Sequence, residues 1–163
     1  MLGFVALLPW LRLLDGCRNA RQALLAGWVL SLAFTAAGFS WFGVAIGRFT
    51  EWGPLLGSAV LLLGAPLFQP QLLVFALVRQ LGRARHGPLL GALAGASAWV
   101  GAEWLCPKLL GDTLGHGLYP AELLRQGAAL GGAAGLSLLL LLANESLATA
   151  WAQRRQGWGA LRT

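Results

Sequence analysis

The stretch Pro88–Pro107, PLLGALAGASAWVGAEWLCP, carries no charged residue until Glu103 and puts Trp99 and Trp104 in what would be its last turns. About 20 residues at about 1.5 Å each cover a hydrocarbon core of about 30 Å, so the stretch has the length of a transmembrane helix. An acid in such a helix has to be neutral, hydrogen-bonded, turned into a bundle or close to the headgroups, because a bare charge against lipid is costly. The chain around it therefore has to supply a bundle.

Working outward, three further long apolar runs supply one. The run 22–47 has no charge, with aromatic residues spread through it and Gly38, Gly43 and Gly47 on one edge where helices could approach closely. In the run 54–78, Pro54 suits a first helical turn, while Pro66 and Pro70, flanked by Gln69 and Gln71, predict an interior kink whose freed carbonyls need partners within the bundle. The run 126–150 carries Gly127, Gly131 and Gly135, a four-residue spacing that stacks small residues on one helix face for packing, and Asn144 as an interhelical hydrogen-bonding residue. Before all of these, eleven apolar residues precede Arg12, too few for a full span. The expected fold is thus all-α: a polytopic transmembrane bundle of four full spans (22–47, 54–78, 88–107 and 126–150) plus a short N-terminal membrane segment. These form one domain over 1–155, followed by a cytoplasmic tail, 156–163.

Composition agrees. Hydrophobic residues make up 57% of the chain and charged residues only 11%, against about a quarter in soluble domains. The net charge of +6 does not indicate nucleic acid, because the basic residues sit at the ends of apolar runs and no binding module is present. Their distribution instead orients the chain. The N-terminal link, the 79–86 link and the tail collect nine basic residues and one acid, whereas the other two links hold three of each. That asymmetry places both termini in the cytoplasm. MLGFVALLPWLRLL lacks the basic start and cleavage site of a signal peptide, and Asp15 is wrong for a lipidation box at Cys17.

Candidate sites are few. Glu103 and Trp104 read either as a polar anchor beside a lipid-accessible cavity or as a structural tie with an interfacial tryptophan. The link 108–125 is long and apolar, so it either dips back into the membrane as a re-entrant segment or lies on its surface; Tyr119 falls within it. Glu145 is expected toward the cytoplasmic half, away from Glu103, where one reading pairs it with basic residues such as Arg79. Cys17 and Cys106 are too few and too far apart for a metal or disulfide framework. His86 and His116 have no companion ligands, so no metal or other cofactor is expected. No Walker, GxSxG, HExxH or dinucleotide motif occurs.

Taken together, LGFVALLPWLRLL at the start, ARQALLAGWVLSLAFTAAGFSWF into the first long run, Glu103-Trp104-Leu105, Gln126, Gly132-x-x-Gly135-x-Ser137 and Asn144 make the chain resemble the membrane domain of bacterial apolipoprotein N-acyltransferase. The resemblance covers most of the chain and implies a multi-pass protein of the bacterial inner membrane. The family moves an acyl chain from a phospholipid to the amino group of a lipoprotein's N-terminal diacylglyceryl-cysteine. It implies that Glu103 and Trp104 lie at the mouth of a membrane cavity and that Gln126 opens the next span, with Tyr119 a further cavity candidate. Where the family usually has Phe-Pro-Trp after Glu-Trp, this chain has Pro107-Lys108-Leu109-Leu110-Gly111. The family's glutamate base, lysine and nucleophilic cysteine belong to a nitrilase-like domain with no counterpart in these 163 residues, so the chain is expected to be inactive alone. The implied partners are membrane phospholipid, bacterial lipoproteins and a separate nitrilase-like catalytic subunit. Two other readings compete. A non-enzymatic membrane scaffold predicts that changes at Glu103 alter assembly but not lipid binding. A small transporter is disfavoured by the lack of an inverted repeat and of paired intramembrane charges.

Overall fold

A computed structural model describes residues 2–106, 111 and 113–160, with side chains at 2 and 155–160 excepted. The stretch 107–110, Asp112, Arg162 and the Arg155 side chain lie outside the described residues. A 3-10 turn, Leu2–Phe4, leads into α1 (Leu8–Asp15), α2 (Ala20–Phe49), α3 (Pro54–Phe68), α4 (Pro70–His86) and α5 (Pro88–Leu105). A second 3-10 turn, Leu114–Leu118, precedes α6 (Glu122–Gln126) and α7 (Ala128–Ala160).

Local chemistry sets most of these boundaries. Asn19 caps α2, its Oδ1 accepting from Gln22 N at 2.9 Å, while Gln22 Oε1 accepts from Arg18 N at 2.7 Å. This is a reciprocal cap that satisfies two otherwise orphaned donors. α3, α4 and α5 each start on a proline in the first turn, where a missing N–H costs nothing. The second apolar run does break at Pro70, while Pro66 lies inside α3: α3 ends at Phe68, Gln69 leaves the helical region, and α4 departs at 43°.

The expectation of four full spans does not survive. Among the described residues two helices are long and apolar enough to cross a membrane, α2 and the 128–154 part of α7, with a third crossing if the bent pair α3–α4 counts as one. α5 is the helix that fails. Glycine, alanine, serine, tryptophan and Glu103 dilute its hydropathy. Its 18 residues are long enough for a span, so its composition and not its length fails it. Its small residues serve packing instead. A Cβ at Gly95 would lie 2.9 Å from Arg79 Cβ, and one at Gly91 2.7 Å from Arg83 N, both on α4. The α2–α3 hairpin closes in the same way, with a Cβ at Gly43 falling 2.8 Å from Ser58 Cα and one at Gly57 falling 2.6 Å from Gly47 Cα. At Gly38, Gly131 and Gly135 a Cβ would meet no described atom within 4 Å.

The core is built where α1, α2, α4 and α5 converge. Trp10, Phe75 and Trp99 stack in series, with ring centroids 5.3 and 5.8 Å apart, and Trp10 Nε1 donates to Ala26 O at 3.1 Å. Asn144 ties α7 to the start of the chain: its Nδ2 donates to Gly3 O at 2.8 Å and its Oδ1 accepts from Leu7 N at 3.1 Å. Outside this core, Phe49, Leu55, Leu63 and Leu67 on the α2–α3 hairpin are all more than 75% exposed. Such a surface is tolerable against lipid and not against water.

Two of the segments that the charge count groups together, the N-terminal link and the 79–86 link, meet at one end of the bundle, with Glu145 of α7 among them. Arg79 on α4 is fully buried and hydrogen-bonds through Nε and Nη2 to both Glu145 oxygens on α7, the Nη2 contact being 2.9 Å. Nη2 also lies 2.9 Å from Asp15 at the end of α1, and Arg83 lies 3.2 Å from the same carboxylate.

Candidate functional site

Glu103 sits in the last turn of α5, four residues after Trp99, so both occupy one helix face. Trp99 Nε1 donates to Glu103 Oε1 at 2.9 Å, and the same oxygen accepts from Leu114 N at 3.3 Å. The carboxylate therefore draws the returning chain onto the end of α5. The returning segment is held again on its far side, where Gly115 N donates to Ser137 Oγ on α7 at 2.9 Å and Leu118 is buried with Leu136 and Leu140. The described part of this link is seated on the protein at Gly115 and Leu118, which are buried, while His116, Gly117, Tyr119 and Pro120 are exposed.

Between these elements lies a cavity of about 360 Å3. Leu7, Leu30, Phe34, Leu72 and Leu114 make its apolar wall, and its polar points are Gln69, Gln71, Glu103 and Thr113. The two glutamines come from the break between α3 and α4, and Gln71 Nε2 donates to Gln69 Oε1 at 2.5 Å. Measured along α5 from the arginine-rich turn, Glu103 is about 23 Å away. On the other side of the same carboxylate lies a cleft of about 320 Å3, lined by Trp104, Thr113 and the small residues 131–134. α7 is broken there at Gly132, whose φ of 63° suits glycine.

The structure brings Glu103 and Trp104 together at this cleft, with Glu103 buried and Trp104 80% exposed. Tyr119 and Gln126 line neither space. Tyr119 is exposed, with the Arg125 guanidinium 5.1 Å from its ring centroid, and Gln126 is exposed at the end of α6. The residues that sequence reading passed over as site residues are Gln69 and Gln71, noted only as neighbours of a kink, and Leu7, from a segment treated as an incomplete span. Two glutamines inside an apolar run were the available signal.

Neither cysteine lines the cavity. Partial burial pushes the Cys17 thiol above its ordinary pKa, against the opposing pull of the Arg79 charge, the reverse of what activates a nucleophile. Among the described residues no group of three His, Cys, Asp or Glu is placed to hold a metal ion. What the arrangement offers chemically is a mostly apolar chamber with hydrogen-bonding groups at one end, suited to an amphiphile.

A family model described as the apolipoprotein N-acyltransferase N-terminal domain matches residues 1–145. The chain is 33% identical over 145 residues to an apolipoprotein N-acyltransferase of Nitrosomonas europaea, an alignment covering 85% of this chain and 28% of that protein. The chain thus spans under a third of the length of the curated relative it matches. No solved structure matches.

Proposed function

The chain belongs to the apolipoprotein N-acyltransferase family through that family's N-terminal domain, and from this premise we propose that its cavity holds a membrane phospholipid for acyl transfer. The observation that carries this reading is the chamber itself: apolar walls from four elements, Glu103 at one end, and a depth of about 23 Å from the arginine-rich end, which suits a lipid entering from the opposite leaflet. The transfer, to the amino group of a bacterial lipoprotein, falls in this proposal to a glutamate, lysine and cysteine in a nitrilase-like module that these 163 residues do not supply. Glu103 orders the cavity, holding Trp99 and Leu114 through one oxygen, and is not the nucleophile's base.

A phospholipid with a photoactivatable acyl chain tests the chamber. In bilayers containing it, adducts are expected on Leu30, Phe34 or Leu72, and Glu103→Ala is expected to reduce them about tenfold, the equivalent of about 1.4 kcal/mol. Adducts confined to outward residues such as Leu55 and Leu63 would sink the proposal. A Glu103→Ala protein that is less stable but labelled as before favours the scaffold reading.

We also propose that the arginine-rich end faces the cytoplasm of a bacterial inner membrane. Arg79, Arg83, Arg85 and the N-terminal arginines share that end, as positive charge near cytoplasmic headgroups favours. Single cysteines introduced as Glu51→Cys and Arg85→Cys, in a background lacking Cys17 and Cys106, are expected to react with a membrane-impermeant thiol reagent from opposite sides of spheroplasts. Reaction from the same side would refute the orientation.

A further inference from the structure

We infer that a groove between α1 and the later turns of α7 holds one acyl chain of an acidic phospholipid, with the lipid phosphate on Arg12. The site lies at the arginine-rich end, apart from the Glu103 cavity, and requires only that this end sit at a headgroup layer, in either leaflet. The groove has a volume of about 390 Å3 and is lined by Val5, Leu8, Pro9, Ala148, Trp151 and Arg12. Ala148 is buried beneath it, while Val5 and Trp151 are half-exposed. Leu7 is held at Asn144, with Arg12 and Trp151 further along their helices, so α1 and α7 run side by side toward the arginine-rich end. Leu8 and Arg12, four residues apart, share one face of α1, as Ala148 and Trp151, three apart, share one face of α7. Each helix thus contributes an apolar residue first and a guanidinium or indole one turn later.

The charges at that end do not cancel. Asp15 is shared by three guanidiniums, Arg79 at 2.9 Å, Arg83 at 3.2 Å and Arg12 at 3.8 Å, and Glu145 is held by Arg79. Two carboxylates therefore face three cations. Arg12 has the longest contact, beyond hydrogen-bond range, and the most exposed side chain of the three, so the surplus positive charge lies with it. Arg154, exposed three residues beyond Trp151, adds to that charge. A guanidinium fork matches a phosphate with two parallel N–H···O bonds, and an indole suits the level where chain meets headgroup. The surplus charge disfavours a headgroup with a cation of its own, which leaves a lipid of net negative charge.

The test uses the full chain in nanodiscs of dioleoyl phosphatidylcholine, doped at equal small fractions with phosphatidylglycerol or phosphatidylcholine bearing the same photoactivatable acyl chain. Adducts on Val5, Leu8 or Trp151 are expected about fivefold more often from the glycerol lipid. That ratio is the equivalent of about 1 kcal/mol, the contribution of one basic residue near an anionic headgroup. Arg12→Gln should abolish the preference, and adducts on the cavity residues Leu30 and Phe34 should not change. Val5→Trp, which fills the groove and leaves every charge in place, should remove the groove adducts of both lipids, and it serves if the glutamine variant does not assemble. Equal labelling of the groove by the two lipids, a preference that survives Arg12→Gln, or no groove adducts at all would overturn the acidic-lipid site; adducts on Leu30 and Phe34 would then still support the cavity. Groove adducts with none on Leu30, Phe34 or Leu72 would overturn the cavity and leave the groove standing.

Discussion

Replacing Arg79 with methionine is expected to destabilise the bundle by about 3–5 kcal/mol, the usual cost of removing one partner of a buried ion pair. The guanidinium joins three helices, α1 through Asp15, α4 through its own backbone and α7 through Glu145. Without it the Glu145 carboxylate, 5% exposed, is left in an apolar interior with no cation. Asp15 fares better, since its side chain is 23% exposed and Arg83 lies 3.2 Å away. The damage should therefore be centred on Glu145. A double variant, Arg79→Met with Glu145→Leu, removes both buried charges and is expected to recover most of the loss, as replacing whole buried pairs by apolar groups often does. Thermal unfolding in detergent, followed across the wild type and the three variants as a cycle, measures the coupling. A double variant no more stable than Arg79→Met alone would show that the ion pair is not what holds α7 to α4.

This end of the bundle was the most legible part of the sequence. Basic residues gather in the N-terminal link and the 79–86 link, and Glu145 with Arg79 is one pairing the sequence suggested; that Arg79 is the arginine buried there, and that Asp15 joins it, came only from the packing. The break between α3 and α4 was equally legible, because Pro70 acts locally and no tertiary contact restores a missing N–H. The number of spans was not. An uncharged run counted as a span wherever its alanines and glycines stood, whereas in α5 they are interior spacers that let α4 come close, leaving the helix too dilute in hydropathy to count as a crossing. The place of the N-terminal segment was hidden for a related reason. Too short to span, it supplies Trp10, Leu11 and Leu14 to the core, which only the tertiary packing reveals. Glycine periodicity was ambiguous in the same way: repeats at a four-residue spacing occur along both α2 and α7, but only a facing helix decides which of them becomes a contact. In α7 the chain leaves the helical region at Gly132, so 131 and 135 do not share an unbroken helical face. Glu103 and Trp104 stood out as polar and aromatic residues at the end of an apolar run. Gln71 did not, since its place on the cavity wall follows from the break between α3 and α4.

Gly115→Val is expected to dismantle the cavity while leaving the helices in place. A Cβ at this position would run into the Ala133 carbonyl oxygen and come within 3.0 Å of Leu136 Cβ. Backbone on α7 cannot rotate aside as a side chain can, so the 3-10 turn has to lift away. Overpacking of this kind costs about 1–3 kcal/mol. The displaced Gly115 N–H also loses Ser137 Oγ, and an unpaired buried donor adds a comparable amount. Once lifted, the turn withdraws Leu118 from Leu136 and Leu140 and pulls Leu114 N from Glu103, removing the cavity wall that this link provides. Hydrogen exchange over 113–118 should then rise to the rate of an exposed loop, and photo-adducts on Phe34 and Leu72 should fall with it. Gly117→Ala is the matched control, because a Cβ there meets no described atom within 4 Å and exchange should stay at the wild-type rate. Ser137→Ala removes the hydrogen bond without the clash and should fall between the two. If Gly115→Val leaves exchange and lipid labelling unchanged, the turn is not seated on α7, and the chamber beneath it loses the wall on which the lipid reading depends.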